Sequence, residues 1–221
     1  MNPIIIALDV PTVEEAAALA ETIGDAAGAF KVGLELYSAE GPHAVAAAGG
    51  RPVFLDLKLH DIPTTVARAV RALAPHRVDL LTVHALGGRA MLEAASDAKS
   101  DEKILAVTIL THLDDAALRE VGLPPVAEAV PLLAKLAADA GCDGVVCAPT
   151  DLVAVRAACP SPFLIVTPGV RPAGSDRDEQ VRALTPREAV NAGADRLVIG
   201  RPVTRARDPR AAAMTILEGL R

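Results

Sequence analysis

The segment Asp56-Leu57-Lys58-Leu59-His60-Asp61 sets two carboxylates around one ammonium within six residues. Its first half continues the apolar run Val53-Phe54-Leu55, which predicts a β-strand over residues 53–58. Strand alternation puts Phe54, Asp56 and Lys58 on one face and Leu55, Leu57 and Leu59 on the other. Opposite charges so placed fit a buried ion pair, with Asp61 capping a helix over 64–73, or a site that moves a proton. Cation usage separates the two. The chain holds 17 Arg and 5 Lys, yet two of the lysines, Lys31 and Lys58, fall at strand ends. A guanidinium is effectively never deprotonated, so lysine at such positions points to a transferable proton.

A second group lies near the C-terminus. Val198-Ile199 ends a predicted strand and leads into Gly200-Arg201-Pro202. Glycine lets backbone N–H groups approach an anion and arginine offers a bidentate partner, so this step fits a phosphate site better than a surface turn. The preceding stretch, residues 167–180, is long, polar and rich in Gly and Pro, which predicts a lid. Arg171 in that stretch offers a second positive group. Asp9, His84 and Thr111 complete the polar residues at strand ends. His60 and His84 are read as structural imidazoles and receive no role.

These residues need a scaffold that gathers strand ends. Predicted strands over 4–9, 30–34, 53–58, 80–84, 104–111, 144–148, 163–167 and 196–200 alternate with helical patterns over 13–23, 42–48, 64–73, 89–99, 126–140, 151–158, 186–192 and 209–220. Strands apolar on both faces and separated by helices imply a parallel sheet covered by helices. Eight strand–helix units in 221 residues predict one α/β domain, a (β/α)8 TIM barrel over residues 1–221, with its site at the carboxyl ends of the strands. Asp208-Pro209 and Thr185-Pro186 read as helix starts, each an N-cap followed by proline at the first helical position.

Composition excludes several partners. A net charge of −6 argues against nucleic acid or an anionic membrane surface, and four aromatic residues, Phe30, Tyr37, Phe54 and Phe163, give no run of stacking platforms. Cys142, Cys147 and Cys159 form no CxxC pair and read as buried thiols rather than a disulfide or metal site. The start, Met1-Asn2-Pro3-Ile4-Ile5-Ile6, has no basic segment and too short an apolar run for a leader or a membrane span, so a cytoplasmic protein is expected.

Taken together, the residues resemble the orotidine 5′-monophosphate decarboxylase family over almost the whole chain. Its pattern Asp-x-Lys-x-x-Asp-Ile-Pro-x-Thr reads here as Asp56-Leu57-Lys58-Leu59-His60-Asp61-Ile62-Pro63-Thr64-Thr65. Asp9, Lys31, Pro168-Gly169-Val170-Arg171, Gln180 and Gly200-Arg201 fall in the family's order. The resemblance implies decarboxylation of orotidine 5′-monophosphate without metal or organic cofactor, in a homodimer with shared sites. It implies a charge network of Lys31, Asp56, Lys58 and a partner subunit's Asp61, with Lys58 as proton donor. Asp9 and Lys31 would hold ribose hydroxyls, Thr111 the pyrimidine, and Thr65 from the partner the sugar or phosphate region. Gln180 would bridge base and phosphate; Arg171, Gly200 and Arg201 would take the phosphate. Two other readings remain. One is a metal-dependent sugar-phosphate decarboxylase or aldolase of the same superfamily, whose second strand carries a carboxylate where this chain has Lys31. The other is a non-catalytic nucleotide-binding barrel, which has no need of Lys58.

Overall fold

A computed structural model describes residues 2–171 and 184–220. The apolar runs form eight parallel strands: β1 (Ile4–Ala7), β2 (Ala29–Gly33), β3 (Val53–Leu59), β4 (Leu80–His84), β5 (Lys103–Val107), β6 (Gly144–Val146), β7 (Leu164–Pro168) and β8 (Arg196–Ile199). Each pairs with the next and β8 pairs with β1, closing the expected barrel in sequence order. Among the described residues no helix is long and apolar enough to cross a membrane.

Strand alternation divides the core in two. Ile5, Ala7, Phe54, Leu80, Leu105, Val166 and Val198 point inward and fill the lumen. Their neighbours, such as Ile4, Ile6, Leu55 and Leu81, point outward and pack against the helices, many through Ala as at Ala16, Ala20, Ala95 and Ala134. With both faces buried, each fully buried Leu, Ile or Val contributes about 1.5–3 kcal/mol of transfer free energy.

The strands stop earlier than the apolar runs suggest. β1 ends at Ala7 and β5 at Val107, so Asp9 and Thr111 stand in the loops beyond them. Three short helices, Leu34–Glu40, Asp115–Glu120 and Arg201–Thr204, were not expected, because two turns or fewer leave too little periodicity to read. Asp208 and Thr185 do cap their helices: Asp208 Oδ1 accepts from Ala211 N at 2.9 Å, and Thr185 and Glu188 form a capping box. Asp61 does not. The helix Pro63–Leu73 has Ile62 as its N-cap with no side-chain bond, and the Asp61 carboxylate accepts instead from Ile62 N at 2.6 Å. The capping alternative for Asp61 is thereby overturned.

At the amino end of the barrel, three carboxylates each tie an even-numbered strand to the odd-numbered strand before it. Asp79, Asp143 and Asp195, each just before β4, β6 and β8, accept from Val53 N at 2.8 Å, Ile104 N at 2.9 Å and Ile165 N at 2.7 Å. Those N–H groups belong to the first or second residue of β3, β5 and β7, and these bonds tie adjacent strands together at their feet. Asp143 and Asp195 also hold cations, Lys99 Nζ and Arg156 Nη2, both at 2.6 Å. Replacing Asp195 by Ala leaves Ile165 N without its acceptor and removes the carboxylate from Arg156, whose guanidinium keeps the carbonyls of Gly193, Cys159 and Phe163, a loss of about 1–3 kcal/mol. At roughly 2–4 °C per kcal/mol for a chain of this size, the melting midpoint should fall by several degrees. A calorimetric scan of Asp195→Ala with an unchanged midpoint would show that the tie carries no stability.

Candidate active site

The chemistry begins with an irregularity in β3. Leu55 pairs with Leu81 of β4 and Leu59 with Val83, so β3 takes four steps where β4 takes two. The extra chain is the stretch containing Asp56, Leu57 and Lys58, and Lys58 has φ +50°, the left-handed region that residues other than glycine seldom adopt. Such a backbone costs about 1–2 kcal/mol and persists only where its surroundings hold it. The alternation predicted from sequence therefore holds to Asp56, and a bulge replaces the regular ladder at Lys58.

Four charges alternate across the carboxyl mouth of β1, β2 and β3. Asp9 Oδ1 accepts from Lys31 Nζ at 2.9 Å; Lys31 Nζ lies 3.9 Å from Asp56 Oδ2; Asp56 Oδ2 accepts from Lys58 Nζ at 2.8 Å. Lys31 is buried, Asp56 and Lys58 are partly so, and Asp9 is exposed. Each inner charge has an opposite neighbour, which offsets the cost of removing it from water. Gly33 makes room for this chain. A Cβ there would come within 2.7 Å of Lys31 Nζ and 3.2 Å of Asp9 Oδ1.

Lys31, Asp56 and Lys58 line a cavity of about 220 Å³ with Phe54, Ile109, Thr111, Pro168 and Val198. One wall is charged and the others are largely apolar, a setting in which a flat, partly apolar ligand meets an ammonium in reduced dielectric. A larger cavity of about 670 Å³ sits at the amino end, lined by Asn2, Gly28, Asp79 and Glu102 among others. Asp79 there is committed to a strand, and barrel enzymes place their chemistry at the opposite face. The smaller cavity is therefore the candidate site. Among the described residues no group of three or more His, Cys, Asp or Glu is arranged to hold a metal ion.

Arg171 and Gly200-Arg201 follow the adjacent strands β7 and β8. Arg171 N donates to Leu184 O at 3.0 Å, bringing together the two described residues that flank 172–183. Gln180 and most of the predicted lid lie outside the described residues. Among the described residues, a Cβ at Gly200 would meet only Ala7 Cβ, at 3.8 Å. Arg201 is exposed at the start of the helix Arg201–Thr204. Asp61 and Thr65 are exposed too, and within the chain no hydrogen bond or ion pair among the described residues joins Asp61 to Lys58.

Around this frame the imidazoles and thiols are quiet. His84 and His60 stack with ring centroids 5.3 Å apart. Burial, with the nearby Lys58 charge, holds the His84 imidazole below its ordinary range, so it is neutral at pH 7 and its Nδ1 accepts from Leu86 N at 3.3 Å. The three cysteines are buried, and burial raises each thiol, Cys142 to about 11. None is a ready nucleophile.

Sequence reasoning missed two residues of this frame, Gly33 and Thr82. Thr82 is fully buried, accepts from Lys58 N at 2.8 Å and donates to Asp56 Oδ1 at 2.9 Å. Its available signal was parity: it shares the inward face of β4 with His84.

The family described as "Orotidine 5'-phosphate decarboxylase / HUMPS family" matches residues 2–216. A protein named orotidine 5′-phosphate decarboxylase in Anaeromyxobacter sp. (strain K) is 56% identical, over 97% of this chain and 96% of its own. One of the same name in Moorella thermoacetica is 54% identical, over 97% and 90%. The crystal structure of orotidine 5′-phosphate decarboxylase from Lactobacillus acidophilus superposes with TM-score 0.88 at 38% identity, covering 100% of this chain and 99% of that one.

The space at Gly33 gives a direct test of the charge chain. Gly33 is extended, φ −100° and ψ −175°, a conformation alanine adopts freely. In a crystal structure of Gly33→Ala the barrel should be intact and Lys31 Nζ displaced from Asp9 beyond hydrogen-bond reach. An unmoved 2.9 Å contact would mean that Gly33 is not required by the ion pair.

Proposed function

The chain belongs to the orotidine 5′-phosphate decarboxylase family, and from that premise we propose a residue-level account of its reaction in which Lys58 is the proton donor. The reaction is loss of carbon dioxide from orotidine 5′-monophosphate to give uridine 5′-monophosphate, the last step of de novo pyrimidine nucleotide biosynthesis. Breaking the bond between ring carbon C6 and the carboxylate leaves the electron pair on C6, and no neighbouring carbonyl delocalises it. An ammonium held at C6 stabilises that pair as it develops and then transfers its proton, forming the new C6–H bond and leaving a neutral amine that solvent reprotonates.

One observation carries this reading: Lys58 Nζ is held 2.8 Å from Asp56 Oδ2 in the wall of the cavity. Asp56 holds the ammonium in place. Lys31, between Asp9 and Asp56, is placed to meet ribose hydroxyls together with Asp9, and Thr111 to meet the pyrimidine. Arg171, Gly200 and Arg201 take the phosphate, with Gln180 bridging base and phosphate. Phosphate binding far from C6 supplies energy that orients the ring against Lys58. Lys31 also speaks against the metal-dependent alternative, since an ammonium 3.9 Å from Asp56 Oδ2 repels a divalent cation there.

A homodimer with shared sites completes the account. Within one chain Asp61 does not reach Lys58, and Asp61 and Thr65 are exposed. Leu34, Ile62 and Leu86 are exposed large apolar residues that follow β2, β3 and β4, three adjacent strands, on the same face of the barrel. A two-fold interface over that face covers them and sends Asp61 and Thr65 toward the partner's pocket. Buried thiols fit a reducing compartment, and we place the protein in the cytoplasm.

Two experiments test these assignments. Lys58→Ala should lower kcat by about 10³-fold or more while uridine 5′-monophosphate still binds, because the lost group acts in the transition state. Near-normal turnover removes Lys58 from the mechanism. Inactive Lys58→Ala and Asp61→Ala subunits, mixed after dissociation, should recover roughly a quarter of wild-type activity, because about half the dimers are mixed and each carries one intact site. Continued inactivity after proven exchange would refute shared sites.

A further inference from the structure

We propose that Thr82 is a positioning residue for the proton donor: its hydroxyl fixes both the backbone and the ammonium of Lys58, and the rate of the chemical step depends on it. The inference rests on Lys58 being the donor and assigns a role to a residue outside the cavity wall. Where β3 runs from Leu55 to Leu59, β4 runs only from Leu81 to Val83, so Thr82 is the one β4 residue opposite Asp56, Leu57 and Lys58. With φ +50°, Lys58 cannot continue a regular ladder, and its N–H needs another acceptor. The Thr82 hydroxyl supplies it at 2.8 Å.

A hydroxyl carries one proton and two lone pairs, so while accepting from Lys58 N it can still donate once. That proton goes to Asp56 Oδ1 at 2.9 Å, and the other oxygen of Asp56 takes Lys58 Nζ at 2.8 Å. The result is a closed ring running from the Lys58 backbone through Thr82 and Asp56 to the Lys58 ammonium. Lys58 is thus anchored at both ends, its backbone by Thr82 and its ammonium by Asp56, and the two anchors are bonded to each other. Thr82 is wholly buried, so water has little access to replace the hydroxyl, and it does not line the cavity, so it does not touch substrate. Val, Ile or Ala at this position would leave Lys58 N without its acceptor and Asp56 Oδ1 without its donor, freeing the carboxylate to turn and the bulge to relax.

The test compares Thr82→Val with Thr82→Ser, using orotidine 5′-monophosphate as substrate. Valine keeps the shape and removes the hydroxyl; serine keeps the hydroxyl and removes a methyl group. Thr82→Val should lose about 10- to 100-fold in kcat, the scale of a displacement near 1 Å at a reacting group, with KM changed by less than about threefold. Thr82→Ser should stay within about threefold of wild type in both. A crystal structure of Thr82→Val should show Lys58 Nζ moved from its 2.8 Å contact with Asp56. If Thr82→Val keeps wild-type kcat, or Thr82→Ser loses as much as Thr82→Val, the hydroxyl does not position the donor. Should valine prevent folding, Thr82→Cys takes its place under the same criterion, since a thiol is a weak donor and acceptor. The Lys58→Ala control separates the claims: an active Lys58→Ala enzyme removes the donor assignment itself, whereas an inactive one beside a fully active Thr82→Val removes only Thr82.

Discussion

The Asp56 carboxylate is the constraint from which the site is built. One oxygen takes Lys58 Nζ and lies within 3.9 Å of Lys31 Nζ, while the other takes the Thr82 hydroxyl. A carboxylate drawn partly out of water is costly unless its lone pairs are met, and here they are met by groups on three adjacent strands. Charge-assisted bonds of this kind are about twice as strong as neutral ones, which lets Asp56 fix a flexible lysine that surface exposure would leave mobile. Alternation then propagates outward: Asp56 places Lys31, and Lys31 places Asp9.

The fold exists, in functional terms, to bring those strand ends together without flexibility. Lumen residues Phe54, Leu105 and Val166 fill the barrel beneath the site, and Asp79, Asp143 and Asp195 tie strand to strand at the far end. Rigidity there allows an irregularity here. The left-handed backbone at Lys58 is a local cost that the closed barrel and the Thr82 bond hold in place, and it lets Asp56 and Lys58 line the cavity together.

Much of this was legible in the sequence. Eight apolar runs separated by helical patterns gave the barrel, because burial on both faces leaves a strong compositional trace. Asp56, Lys58 and Lys31 stood out because charge is rare in such runs and lysine is rare in this chain. The bulge was hidden, since two extra residues in a strand change its pairing but not its hydrophobic pattern. Thr82 was hidden for a related reason: a threonine in a strand is ordinary, and its importance comes from what stands opposite it. Gly33 showed no sign because its role is the space it leaves for an ammonium two residues away. Asp61 looked like a helix cap by spacing, and only its bond to Ile62 N and the capless start of the helix Pro63–Leu73 removed that reading.

The central claim is that the Lys58 ammonium delivers the proton to C6. By microscopic reversibility the same group, as an amine, must take that proton from the product. Proton magnetic resonance of uridine 5′-monophosphate in deuterium oxide, at saturating nucleotide, reads this directly as loss of the C6–H signal. The account predicts exchange above the buffer rate with the wild-type enzyme and none above buffer with Lys58→Ala, saturation ensuring that weaker binding is not the cause. Exchange by Lys58→Ala at the wild-type rate would contradict it.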